Sequence, residues 1–214
     1  MNFDRVADHY YWLETLAFGS ALQRARIYWL EKLPQPSRAL IVGEGNGRFL
    51  CELLRVHPEI EVDCVDASAR MLQLAKERLR QKAPVTLPQV QFLHEDVRTW
   101  SGPISTYDLV VSHFFLDCYE EIEISPIVEK LAAMATNNAA WLIADFFLPP
   151  KWVARAHARL WLWTMYRFFR SFTRIPSRRL VDPSPFLRAN RFELVNFCLS
   201  RFGMVKSEVW RKTG

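Results

Sequence analysis

The chain has 214 residues, half of them apolar and about a quarter charged, with four cysteines and a formal net charge of +5. That balance suits a globular domain with a real core and excludes a collagen-like, low-complexity or disulfide-dense chain. The first residues carry Asp4 and Asp8 and no apolar core segment, so no secretory leader is expected, and no window reaches the roughly 18 unbroken apolar residues of a membrane span.

Residues 2–33 suggest two helical stretches that part near Phe18-Gly19-Ser20. Residues 39–42 form a short apolar strand that ends in Gly43, Gly45 and Gly47, each two residues from the next. A helix is expected over 46–57, closed by His57-Pro58, and a second strand over 61–65. Residues 68–82 place Met71, Leu72, Ala75 and Leu79 on one helical face, with Ser68 as the capping residue. Strands follow at 90–94, 107–112 and 138–146, with a helix over 120–136 between the last two. Strands that alternate with helices predict parallel βαβ units with helices on both faces of the sheet. The rhythm then breaks. Residues 192–200 and 204–211 both alternate around Gly203, which predicts a hairpin and an antiparallel strand at the sheet edge.

The three glycines need a reason, because each costs backbone entropy. In an open α/β sheet a ligand lies beyond the carboxyl ends of the strands, where bare main chain allows close approach. A dinucleotide would want G-x-G-x-x-G, yet Arg48 stands at the third glycine position, so a nicotinamide-dependent oxidoreductase is disfavoured. The spacing G-x-G-x-G, followed by Val65-Asp66-Ala67-Ser68-Ala69-Arg70-Met71-Leu72, by residues 90–97 and by residues 107–115, resembles the ordered motifs of class I S-adenosylmethionine-dependent methyltransferases. The resemblance runs from Ala39 to Phe146 by motif and includes the hairpin by topology. It implies a three-layer α/β sandwich with a seven-stranded sheet of order 3-2-1-4-5-7-6, strand 7 antiparallel. The N-terminal helical cover (1–35) and a helical lid (149–190) would belong to the same domain, which spans residues 1–214.

The resemblance also implies a site. Gly43, Gly45 and Gly47 would let S-adenosylmethionine approach the main chain. Asp66 would hold the ribose, with Ala67, Ser68 and Met71 beside it, and Asp96 and Val97 would hold the adenine. Ser112 and His113 would border the methionine part, and Tyr10 on the N-terminal segment would close over it. Where the family often has an acid two positions before the first glycine, this chain has Ile41. Glu44 then either supplies a carboxylate to the amino-acid end or is an exposed loop residue. His113 is the candidate general base, or alternatively a backbone-bonded histidine flanking the cofactor. Asp117 and Tyr119 face substrate, or Asp117 caps the next helix.

Ser112-His113-Phe114-Phe115 departs from the Asn/Asp-Pro-Pro-Tyr/Phe pattern that clamps a planar amide or amidine nitrogen, which argues against nucleobase amines and glutamine amides. No metal-ligand spacing is present, so no metal is expected. The expected acceptor is a small molecule, apolar or aromatic. The competing reading is a non-catalytic module that binds S-adenosylmethionine or S-adenosylhomocysteine and serves as a partner subunit. Residues 151–191 hold ten lysines and arginines and His157 against the single acid Asp182. Within them a long helix is expected over 151–175, with a basic and an aromatic side. It is either a solvated cover for the site or a peripheral contact with an anionic membrane surface, while nucleic acid is the weaker reading. Cys51, Cys64, Cys118 and Cys198 lie far apart in apolar segments, so they are expected to be buried thiols in a reducing cytoplasm.

Overall fold

A computed structural model describes residues 20–147 and 180–214. Tyr10, Tyr11, the first expected N-terminal helix and the basic aromatic helix over 151–175 lie outside the described residues. The seven strands are β1 (Arg38–Val42), β2 (Glu61–Asp66), β3 (Val90–His94), β4 (Tyr107–His113), β5 (Ala135–Phe146), β6 (Phe192–Ser200) and β7 (Val205–Lys212). They form one sheet of order β3-β2-β1-β4-β5-β7-β6. The pairs among β1 to β5 are parallel, and β7 is antiparallel to both β5 and β6. The expected order and the expected antiparallel strand are both present.

The helices are α1 (Ala21–Ile27), α2 (Arg48–Val56), α3 (Ala69–Lys82), α4 (Glu121–Met134) and α5 (Ser184–Ala189). Strand alternation divides the apolar residues between two cores. Leu40 and Val42 enter the core shared with α4, while Ala39 and Ile41 enter the core shared with α2 and α3. Ile41 is therefore sheet interior, 1% exposed, and cannot serve a ligand. Trp141 and Trp210 are wholly buried in the first core, and the Trp141 indole N–H donates to Ser112 Oγ at 2.9 Å. Burial of a large apolar side chain stabilises the fold by about 1.5–3 kcal/mol, and the bond to Ser112 prevents the indole N–H from subtracting from it.

The end of the sheet away from the ligand cleft is clipped by polar contacts. Tyr107 donates its hydroxyl to Asp63 at 2.6 Å, and the Arg38 guanidinium lies 3.2 Å from the same carboxylate. Asp108 accepts from the backbone N–H groups of Ser37 and Arg38 at 2.9 and 3.0 Å. These bonds fix β1 against β2 and β4, the three strands whose other ends carry the cleft.

Local signals set most boundaries. Ser68 accepts from Met71 N at 3.1 Å and starts α3. Glu120 and Glu123 form a capping box at the start of α4, so Asp117 does not cap that helix. Asp117 is buried in the 3-10 turn Leu116–Cys118. β5 begins at Ala135, three residues earlier than expected. The strand breaks register between Leu109 and Tyr107 and places Asn138 at φ 64°, a conformation asparagine tolerates. The four cysteines are free; Cys51, Cys64 and Cys118 are buried, but Cys198 is half-buried on edge strand β6 rather than interior. Among the described residues, no helix is long and apolar enough to cross a membrane.

Gly47 ends the glycine turn at φ 80°, and a Cβ there would lie 2.7 Å from Ala75 Cα. Its close neighbour is α3, not a ligand. Gly47→Ala therefore combines a left-handed penalty with a backbone clash and is expected to cost about 2–4 kcal/mol in urea unfolding. Gly45→Ala, which meets no atom within 4 Å, should cost about 1 kcal/mol through backbone conformation alone. Equal losses for the two variants would contradict this account.

Candidate functional site

The carboxyl ends of β1, β2, β3 and β4 open into one cleft with about 840 Å³ of empty space, solvent at its mouth included. The loop from β1 to α2 forms its floor. Gly43, Gly45 and Gly47 are all left-handed, at φ 68°, 71° and 80°. Their neighbours differ. Gly43 sits under the Phe115 ring, Gly47 lies against α3, and Gly45 alone faces open space. The close approach expected of all three is thus a ligand matter at Gly45 and a packing matter at Gly43 and Gly47.

Asp66 ends β2 with its carboxylate turned over this loop. Oδ2 accepts from Gly45 N at 3.2 Å and Oδ1 from Ser68 N at 2.9 Å. The bonds orient the carboxylate and tie the β1 loop to β2. Ala67 and Met71 line the same wall. Ser68 does not, because its hydroxyl is committed to the start of α3 and the residue is 3% exposed.

Glu44 is neither an exposed loop residue nor free. It is half-buried on the cleft wall, and Oε1 accepts from Phe49 N and Leu50 N at 3.1 and 3.0 Å, so the carboxylate satisfies the first turn of α2. Burial nonetheless pushes the carboxyl up to about 7, against the pull of those two N–H groups and of Arg26.

At the β3 end, Glu95 and Val97 line the cleft and Asp96 does not. The Arg98 guanidinium takes both Asp96 oxygens at 2.6–3.1 Å and holds the carboxyl below its usual range. The expected adenine partner is thus already engaged by a residue two positions away, and of the expected pair only Val97 faces the cleft.

Alternation separates the expected pair on β4. His113 lines the cleft, while Ser112 points into the opposite core and accepts the Trp141 bond. His113 is 8% exposed and meets the Phe49 ring edge-on at 4.7 Å. Both ring nitrogens are buried without a hydrogen bond of ordinary geometry. Burial, then the nearby Arg26 charge, push the imidazole down from 6.5 to about 3, against a smaller opposing pull from the Arg26 backbone. His113 is therefore neutral at physiological pH and a poor proton acceptor.

Several cleft residues lie outside the expected site set. Phe49, Phe114 and Phe115 add aromatic walls, and Arg26 reaches in from α1. Phe114 holds φ 51°, rare for a bulky side chain, with Phe146 at 5.2 Å and the Arg26 guanidinium 4.9 Å over its ring. Tyr119, expected to face substrate, lines the cleft and packs edge-on against Phe115 at 5.1 Å. The Phe114 conformation and the approach of α1 have no local sequence signature. Cys118 also lines the cleft, and burial holds its thiol well above the usual range. Among the described residues, no group of three metal-ligating side chains could hold an ion.

Comparison with known proteins agrees with this geometry. Residues 39–138 match the methyltransferase domain family. A malonyl-[acyl-carrier protein] O-methyltransferase of Ilyobacter polytropus is 35% identical over 74 residues, which is 35% of this chain and 25% of that protein. The chain thus matches about a quarter of the length of this curated relative. Among solved structures, an O-methyltransferase family 2 protein from Planctomyces limnophilus in complex with apigenin superposes with TM-score 0.72 at 14% identity. That superposition covers 97% of this chain and 62% of the other. Magnesium protoporphyrin IX methyltransferase from Synechocystis with bound SAH gives 0.65 at 18% identity, covering 90% and 82%. At these identities the structural likenesses are of fold. With the sheet order, the glycine turn and the motif-bearing strands in place, the chain has the fold of class I S-adenosylmethionine-dependent methyltransferases, and its residues 39–138 match the methyltransferase domain family.

Proposed function

We propose that this protein transfers a methyl group from S-adenosylmethionine to a small acceptor that reaches the cleft already ionised. One observation carries the cofactor side of this reading. Gly45 offers bare, left-handed main chain to open space directly beneath the Asp66 carboxylate. A Cβ at that position would occupy the space a nucleoside needs. The residues present fit the group. Asp66 would hold a ribose diol, and Val97 and Met71 would provide apolar walls for a base.

The cofactor supplies the activation, because its sulfonium is a good leaving group in an in-line displacement. The chain positions the two reactants and excludes water. Nothing in the described cleft beside His113 is a strong proton acceptor at neutral pH. His113 is held near 3, and burial raises the Tyr119 phenol above its usual value and keeps it protonated. Glu44 has a suitable value, but its carboxylate is bound to the start of α2. An acceptor that carries its own charge needs no base. This favours a carboxylate or an acidic phenol over an aliphatic alcohol, and the aromatic walls of Phe49, Phe114, Phe115 and Tyr119 suit an apolar or aromatic body. The names of the malonyl-[acyl-carrier protein] O-methyltransferase and of the O-methyltransferase family 2 protein in complex with apigenin support an oxygen acceptor.

Asp66→Ala is expected to weaken S-adenosylhomocysteine binding by about 1–3 kcal/mol in calorimetry, and unchanged affinity would refute the ribose assignment. Release of S-adenosylhomocysteine across a panel of carboxylates, phenols and alcohols tests the acceptor. Retained binding with no turnover on any acceptor would support the non-catalytic binding module instead. His113 provides a pH test. Its pKa is lowered on folding, so its contribution to stability is present above 6.5 and is lost as pH falls from 6.5 toward 3. The His113 ring C–H signals should hold neutral shifts from pH 8 to 5 in NMR, and His113→Asn should blunt the loss of stability in acid. A ring titrating near 6.5 would restore the general-base assignment.

A further inference from the structure

The sheet ends in β6, whose only strand neighbour among the described residues is β7. Two bonds fix how the main chain of this hairpin is turned. Phe147 N–H donates to Met204 O, and Thr213 N–H donates to Arg191 O. The even residues of β7 therefore turn their main chain to β5 and the odd residues to β6. Phe197 and Leu199 stand opposite the even residues Glu208 and Lys206, so their own N–H and C=O groups point out of the sheet. The Phe197 N–H accordingly donates to the Asn196 side chain on its own strand, at 2.9 Å. An outward edge of this kind is a template for another strand unless charge or proline blunts it. Residues 194–200 contain neither, and the strand is regular from Asn196 to Ser200, after its register break at Leu194. Val195, Phe197 and Leu199 are 61%, 51% and 44% exposed. The neighbouring cation Lys206 is compensated by Glu208 and lies over the Phe147 and Phe197 rings, so it does not guard the edge.

We propose that β6 pairs with β6 of a second copy of this chain, antiparallel about a twofold axis at Phe197, and so joins two seven-stranded sheets into one. The side chains select this register. Pairing about Phe197 sets Phe197 against itself and Val195 against Leu199 of the second copy, so every exposed apolar side chain of the strand meets another. It also brings Glu193 level with Arg201 of the second copy at both ends, which places opposite charges together. An axis at Cys198 would set Val195 against Arg201, and an axis at Asn196 would set Leu199 against Glu193. The outward N–H and C=O of Phe197 then bond to their own counterparts, and the Asn196 side chain is released. Each half of the strand thus carries the complement of the other half, which favours a second copy over a foreign strand. The cleft opens at the carboxyl ends of β1 to β4, so this pairing leaves it accessible.

Sedimentation equilibrium of the full chain and of its Phe197→Lys and Ile122→Lys variants tests this. Ile122 is an exposed apolar residue of α4 and serves as the control. The parent and Ile122→Lys should reach twice the monomer mass as concentration rises, while Phe197→Lys should stay a monomer with an unchanged urea midpoint. Cross-linking reads the register. On a Cys198→Ser background, Phe197→Cys should give a disulfide-linked dimer on mild oxidation, because a hydrogen-bonded antiparallel pair holds its Cα atoms about 5.5 Å apart, within disulfide reach. Val195→Cys should not, because the axis places its two copies about 13 Å apart along the strands. A parent that stays monomeric would overturn the inference, and β6 amides protected from hydrogen exchange in that monomer would show that another segment of the same chain covers the edge. A dimer that survives Phe197→Lys, a dimer that is also lost in Ile122→Lys, or equal cross-linking of the two cysteine variants would overturn it as well.

Discussion

The bond between Gly45 N–H and the Asp66 carboxylate, 3.2 Å long, is the contact on which the site depends. It joins the turn after β1 to the end of β2 across the middle of the sheet. For the bond to form, the chain must leave β1, pass through three left-handed residues and enter α2 within five positions. Only glycines do this cheaply, and each is used differently. Gly47 lets α3 pack closely, Gly43 admits the Phe115 ring, and Gly45 leaves the space above the main chain open. Glu44, caught between them, turns back to satisfy the N–H groups of Phe49 and Leu50, which fixes the direction in which α2 departs.

Around that turn the sheet supplies rigidity at one end and chemistry at the other. The Tyr107–Asp63–Arg38 and Asp108 contacts close the far end of β1, β2 and β4 with buried or half-buried polar bonds. The near end carries the cleft residues on strand ends, helices and loops held by that rigid scaffold. The aromatic group of Phe49, His113, Phe114, Phe115 and Tyr119 gives a low-dielectric end to the cleft. That environment keeps His113 neutral, and it makes a single buried guanidinium such as Arg26 a strong local charge.

The motif residues gather at one cleft because they are main-chain positions and residues at strand ends. Gly45 and Asp66 act through the turn and the strand terminus on which they sit, so their spacing in the sequence is their spacing in space. Asp96 shows where that logic stops. Its position after β3 is as expected, but Arg98, two residues on, binds both of its oxygens. Ser112 stops it in another way: it and His113 are adjacent in sequence and on opposite faces of a strand, so they could not both border one ligand.

The sequence by itself determined the alternation of strands and helices, the terminal hairpin and the position of the glycine turn, because apolar periodicity and glycine spacing act over short stretches of chain; the sheet order came from the family resemblance. Tertiary structure alone decided that Arg26 enters the cleft from a helix about twenty residues upstream of the turn, that Glu44 caps a helix, and that His113 is buried against Phe49. Each of these depends on which distant side chain fills a given volume. Burial, which sets the charge state of His113 and the reach of Arg26, is a property of the packed volume, and no short segment carries it.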